Sequence, residues 1–163
     1  MKALGRAFDG LEDAFAVLAA TLIVLSVVLV TADVFLRYVF TQPIAWVFEV
    51  TEYILLFVPC LGMAWLARHD GHVMIDIVTS ALSPRPRARL RAVVAMTVAA
   101  LCAFIAWWGA VATRESYVAK AMIENVLQMP QYVVYAVIPL GFALCAVEFA
   151  RKGLCSWLQA DAA

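Results

Sequence analysis

The sequence predicts an all-α integral membrane protein. It has four transmembrane helices, a short interfacial helix between spans two and three, and both termini on the cytoplasmic side. Three observations carry this. Of 163 residues, 66% are apolar and 15% charged, and mean hydropathy is +0.91; a soluble domain is nearer half apolar and a quarter charged. Four apolar runs each approach or exceed the roughly 20 residues that cross a bilayer. The cations concentrate in alternate loops. The same numbers exclude other classes. Twelve basic and twelve acidic residues cancel, so no basic field attracts nucleic acid. Four spans consume about half of the chain, so residues 1–163 read as a single membrane domain.

Span one covers approximately 14–38, and its stretch from Ala14 to Ala32 carries no charge. Asp9, Glu12 and Asp13 precede it and no clear cleavage site follows. A signal peptide has a basic start and a shorter core, so this is an uncleaved span. Span two covers approximately 46–67, with Glu49 and Glu52 near its start and no charge from Tyr53 to Ala67. The HVMIDIVTSAL segment then reads as a short amphipathic helix. Val73, Ile77 and Ala81 share one face and Asp76 and Ser80 another, which suits the membrane interface. Pro84 and Pro86 are expected to break that helix, and Arg85, Arg87, Arg89 and Arg91 to meet the anionic inner leaflet. Span three, approximately 92–113, is free of charge. Span four, approximately 126–148, contains Pro130 near its start, where proline is tolerated. Pro139 and Pro59 fall inside spans and predict kinks.

Orientation follows from the cations. Lys2 and Arg6, then Arg68 with the four arginines of the second loop, then Arg151 and Lys152 account for nine of the twelve. The other two loops hold Arg37, Arg114 and Lys120. Both termini and the 68–91 loop are therefore expected in the cytoplasm.

Ionisable groups near a bilayer core are costly and often functional. The candidates are Asp33, Arg37, Glu49, Glu52 and Glu148. Asp33 and Arg37 are spaced i, i+4 and can pair on one helix face. Arg37 is also placed to pair with Glu49 or Glu52 between spans. Either set marks an ion or substrate site, or a clamp fixing two helices; the scarcity of polar residues on spans three and four favours the clamp. Cys60, Cys102, Cys145 and Cys155 have no ligand spacing and read as small packing residues. His69 and His72 lie three apart at the end of one span and cannot bracket a haem. Nucleotide loops, nucleophile elbows and metalloprotease motifs are missing from the sequence, so neither enzyme activity, cofactor nor metal is expected. Tryptophans 46, 65, 107, 108 and 157 fall mainly near span ends, an aromatic-belt pattern. Alanines 95, 99, 100, 103, 106 and 112, with Gly109, make surfaces for close helix packing. A chain this apolar with so little internal polar machinery reads as a subunit of something larger.

One ordered run of residues is similar to a known family. RYVF (Arg37 to Phe40) ends span one. Pro43, Trp46 and Glu49 form a P-x-x-W-x-x-E entry to span two. Gly62 follows late in that span, then Gly71, His72 and Asp76 as G-H-x-x-x-D. A proline- and arginine-rich stretch and two apolar spans complete the pattern. The chain resembles the DctQ-like small membrane subunit of tripartite ATP-independent periplasmic (TRAP) transporters. The likeness covers about 15–150 in architecture and 33–78 in motif.

That resemblance implies a place in the bacterial inner membrane and two protein partners. A periplasmic solute-binding protein captures an organic acid, and a large membrane subunit carries it inward on a sodium gradient. The small subunit braces the large one's scaffold in the bilayer. It implies that Arg37 and Glu49 fix the turn between spans one and two, that Trp46 anchors it at the outer interface, and that His72 and Asp76 bridge the short helix. Two other readings compete: a membrane anchor of a respiratory redox complex, disfavoured by the histidine count, and a self-sufficient small exporter.

Overall fold

The computed structural model describes residues 2–41, 44–69 and 84–162. They form four helices: α1 (Lys2–Phe40), α2 (Ala45–Arg68), α3 (Pro84–Val118) and α4 (Gln131–Ala162). Each contains a stretch long and apolar enough to cross a membrane. Pro43 and the expected interfacial helix, with Gly71, His72 and Asp76, lie outside the described residues.

The helices run beyond the apolar stretches. α1 starts at Lys2 rather than near 14, because Asp9, Glu12 and Asp13 find partners on other helices. α3 starts at Pro84. Pro84 and Pro86 open this helix; the short helix they were expected to break lies outside the described residues. A fixed φ near −65° suits the first turn, where the missing N–H costs nothing. α4 starts at Gln131, directly after Pro130.

Two reversals connect the helices at one end. Thr41, at φ 55, takes the left-handed conformation that stops α1. The 119–130 loop is a hairpin-like turn, with an isolated bridge between Met122 and Pro130. Within it the Ile123 N–H donates to the Met129 carbonyl at 3.1 Å, and the Gln131 N–H to the Ala121 carbonyl at 3.0 Å.

The helices stand in a row. α1 packs on α2, α2 on α4, and α4 most extensively on α3. The core lies toward one end, where Ala67, Ala99, Cys102, Cys145 and Phe149 meet. Small side chains let the backbones approach, which is how membrane helices gain contact without a hydrophobic driving force. One close approach is at Gly141, where an added Cβ would fall 2.1 Å from the Cys60 carbonyl oxygen. Gly109 lies against Pro139, whose Cδ would be 3.2 Å from a Cβ there.

α1 touches the rest along a narrow seam. Its protected positions include Glu12, Phe15, Ala19, Leu22, Ser26, Leu29, Asp33 and Leu36. That near-3.5-residue repeat is the signature of a shallow left-handed crossing. Only 6% of its apolar stretch is buried, against 28% for α2 and for α4. An acid stands near each end of the seam, Glu12 and Asp33, and those two acids locate the polar sites.

Candidate functional site

The polar side chains gather at the two ends of α2. At its start, Asp33 is 7% exposed. Its Oδ2 accepts a hydrogen bond from Arg37 Nη2 at 2.7 Å. Its Oδ1 accepts the backbone N–H of Ile44 at 2.8 Å. Ile44 is the N-cap of α2 and its own side chain makes no capping bond. Asp33 therefore plays, from another helix, the part that a capping-box glutamate plays from within one.

Glu49 does the equivalent for the neighbouring loop. It is 8% exposed. Oε1 accepts the N–H of Val126 at 2.8 Å, and Oε2 that of Leu127 at 3.0 Å. Two successive amides on one carboxylate are charge-assisted bonds that fix orientation as well as distance. They pin the α3–α4 connection to α2. We expect Glu49→Gln to lose one acceptor and weaken both bonds. Hydrogen exchange at Val126 and Leu127 should then speed by roughly tenfold or more, with little change at Ile44.

The Arg37–Glu49 and Arg37–Glu52 pairs considered from sequence are not formed. Among the described residues Arg37 pairs with Asp33, one turn away on the same helix. Glu49 is turned inward to the loop amides, and Glu52 is exposed on α2. Trp46 is 43% exposed near the same end. Gly62 lines a groove of about 770 Å³ between α1 and α2, with nothing within 4 Å of where its Cβ would stand. Arg89 and Arg91 are exposed near the start of α3, and Arg85 and Arg87 lie on the same helical turns.

At the other end of α2 is a charge network that sequence reading missed. Arg68 reaches α1: Nη1 donates to the Asp9 carbonyl at 2.9 Å and stands 3.4 Å from Glu12 Oε2, while Nη2 bonds Asp13. Arg151 Nη1 donates to Asp9 Oδ1 at 3.1 Å and to Glu148 Oε2 at 3.0 Å. Lys152 Nζ donates to the Ala67 carbonyl at 2.6 Å, satisfying an end carbonyl of α2. Glu12 is the most deeply buried acid among the described residues, and neither of its carboxylate oxygens has a hydrogen-bond partner. Its compensation is the Arg68 charge. The available signal was the run of three acids ahead of an apolar span. Asp9, Glu12 and Asp13 share one face of a helix extended toward the N-terminus. Arg68, Arg151 and Lys152 read instead as topogenic charges.

This arrangement fastens helices together. It ties α1 to α2 at both ends, α4 to α1 and α2 at one, and the α3–α4 loop to α2 at the other. Between the two ends the hydroxyls of Thr21, Thr31, Thr51, Thr97 and Thr113 bond to carbonyls four residues back in their own helices. Such hydroxyls are spent on the backbone. Among the described residues no group of three His, Cys, Asp or Glu could hold a metal ion.

Comparison with known proteins places the chain in a transporter family. Residues 26–159 match the family described as tripartite ATP-independent periplasmic transporters, DctQ component. The chain is similar to the ectoine TRAP transporter small permease protein TeaB of Halomonas elongata, at 22% identity over 118 residues. That alignment covers 72% of this chain and 61% of the relative, so the chain spans about three-fifths of the curated relative's length. The match is with a transporter component and lends nothing to the redox-anchor reading. With most of its length matched, the chain belongs to the DctQ component family of TRAP transporters, as a multi-pass membrane protein.

Proposed function

We propose that this chain is the small permease subunit of a TRAP transporter that takes up an organic acid. It braces the scaffold of a large membrane subunit while that subunit moves the solute on a sodium gradient. A periplasmic binding protein delivers the solute. The observation that carries this reading is the use made of the polar groups. Asp33, Glu49, Glu12, Arg68 and Arg151 hold helix ends and a loop, and five threonine hydroxyls between them are bonded to their own backbones. A bracing subunit needs rigidity of this kind, and a solute path needs polar groups in the middle.

The orientation has both termini and the 69–84 connection on the cytoplasmic side of the inner membrane. Nine of the twelve cations support it. The charge network around Arg68 then lies at the inner face, and Asp33 and Glu49 at the outer one. His72, Asp76 and the arginines from Arg85 to Arg91 belong to the inner face, the arginines against anionic lipid.

A mild-detergent pull-down of the tagged chain from native membranes, read by mass spectrometry, tests the assignment. The expected result is stoichiometric recovery of a large multi-span TRAP permease subunit. Recovery of flavin or iron–sulfur subunits in its place would contradict it.

A further inference from the structure

We infer that the bare face of α2 seats a transmembrane helix of the large subunit, and that a lysine or arginine on that helix pairs with Glu52. This rests on the proposed function and specifies its interface. α2 is an inner member of the row, yet one of its faces is uncovered. Phe48 is 78% exposed, Leu55 76% and Leu66 49%. Glu52, Pro59 and Gly62 fill the intervals between them. The series 48, 52, 55, 59, 62, 66 has the alternating three- and four-residue spacing of a helix-packing seam. It lies opposite the buried face of Val47, Ile54, Leu61 and Ala64.

Toward the Arg68 end this seam opens into the groove shared with α1. Ala16, Ala20 and Ile23 form one wall, and Pro59, Gly62 and Leu66 the other. The volume is about 770 Å³. Because Gly62 presents open space, a bulky apolar side chain of a partner helix fits there. A lipid chain would fit an apolar groove equally well, and Glu52 decides between them. Glu52 is exposed, and among the described residues it has neither an ion-pair nor a hydrogen-bond partner. It stands about 10 Å along the helix from the start of α2, between Phe48 and Leu55. A carboxylate facing acyl chains at that depth is strongly disfavoured, and intramembrane acids are found paired or facing a protein interior. A short glutamate side chain reaches the headgroups less readily than lysine or arginine does. The complementary helix therefore carries a cation at the level of Glu52. About 15 Å further along it carries a bulky apolar residue opposite Gly62.

The test uses the co-expressed complex of this chain with its large subunit. The photoreactive amino acid p-benzoylphenylalanine is placed singly at Phe48, Leu55 and Leu66, and at Phe104 on exposed α3 as a control. The expected result is covalent adducts with the large subunit from the three α2 positions and none from Phe104. Glu52→Lys should lower recovery of the large subunit at least roughly tenfold. Reversing the charge of the basic residue nearest the adduct should restore it. Lipid adducts alone from α2, or large-subunit adducts from Phe104 instead, in an intact complex, would overturn this interface while leaving the function standing. Failure of the unsubstituted chain to associate with any large subunit would overturn the function itself.

Discussion

Gly141→Leu is expected to abolish recovery of folded, monodisperse protein. Gly141→Ala should already destabilise it severely. The reason is geometric. The first side-chain carbon at position 141 would sit 2.1 Å from the Cys60 carbonyl oxygen, 2.8 Å from its carbonyl carbon and 3.0 Å from its Cα. All three atoms are backbone, so no rotamer change relieves the clash, and α2 and α4 must separate. Overpacking of side chains typically costs about 1–3 kcal/mol, and a clash with backbone lies at or above that range. Separation also pulls Lys152 from the Ala67 carbonyl and loosens the Cys145–Phe149 core. Gly62→Ala is the matched control in the isolated chain, since nothing lies within 4 Å of its added carbon. Thermal unfolding in mild detergent should place Gly62→Ala at or slightly above the unsubstituted protein, because alanine is the better helix former.

Arg68→Ala should rank second. Removing that guanidinium leaves the fully buried Glu12 side chain without its nearest cation, and Asp9 and Asp13 beside it. Breaking a buried ion pair by deleting one partner costs about 3–5 kcal/mol. The lower end applies because Asp9 and Asp13 are partly exposed and screened. The helix affected is α1, whose apolar stretch is the least buried of the four. Adding Glu12→Gln should recover more than half of the loss, since the uncompensated charge is then gone. Cysteine cross-linking between α1 and α2, alongside thermal unfolding, measures both variants. If the double substitution is worse than the single one by the full effect of Glu12→Gln alone, the two side chains are not coupled.

These two sites show where sequence reading succeeds and where it stops. Hydropathy found the four membrane-crossing segments because apolar run length is a local property. It misplaced helix ends because the end of an apolar run is not the end of a hydrogen-bonded ladder. α1 continues through three acids to Lys2, and α3 begins at Pro84, eight residues before the apolar run of span three. The Asp33–Arg37 contact was legible from i, i+4 spacing. The partners of Glu49 lie 77 and 78 residues away and are backbone amides, to which no residue type gives a clue. Arg37 is the cation nearest Glu49 in the sequence, but it pairs with Asp33 instead. The Arg68 network spans 142 residues between Asp9 and Arg151. Its cations sit where topogenic charges are expected, so position alone does not reveal their pairing.

Under the proposed function this chain braces a transporter and carries no solute path of its own. Reconstitution into proteoliposomes separates the two possibilities. They would hold the large subunit with or without this chain, or this chain alone, together with the binding protein and a labelled organic acid that the binding protein retains in dialysis. Sodium-dependent uptake is expected when both membrane subunits are present, a severe loss when this chain is omitted, and none from this chain alone. Uptake by this chain alone, or full uptake in its absence, would contradict it.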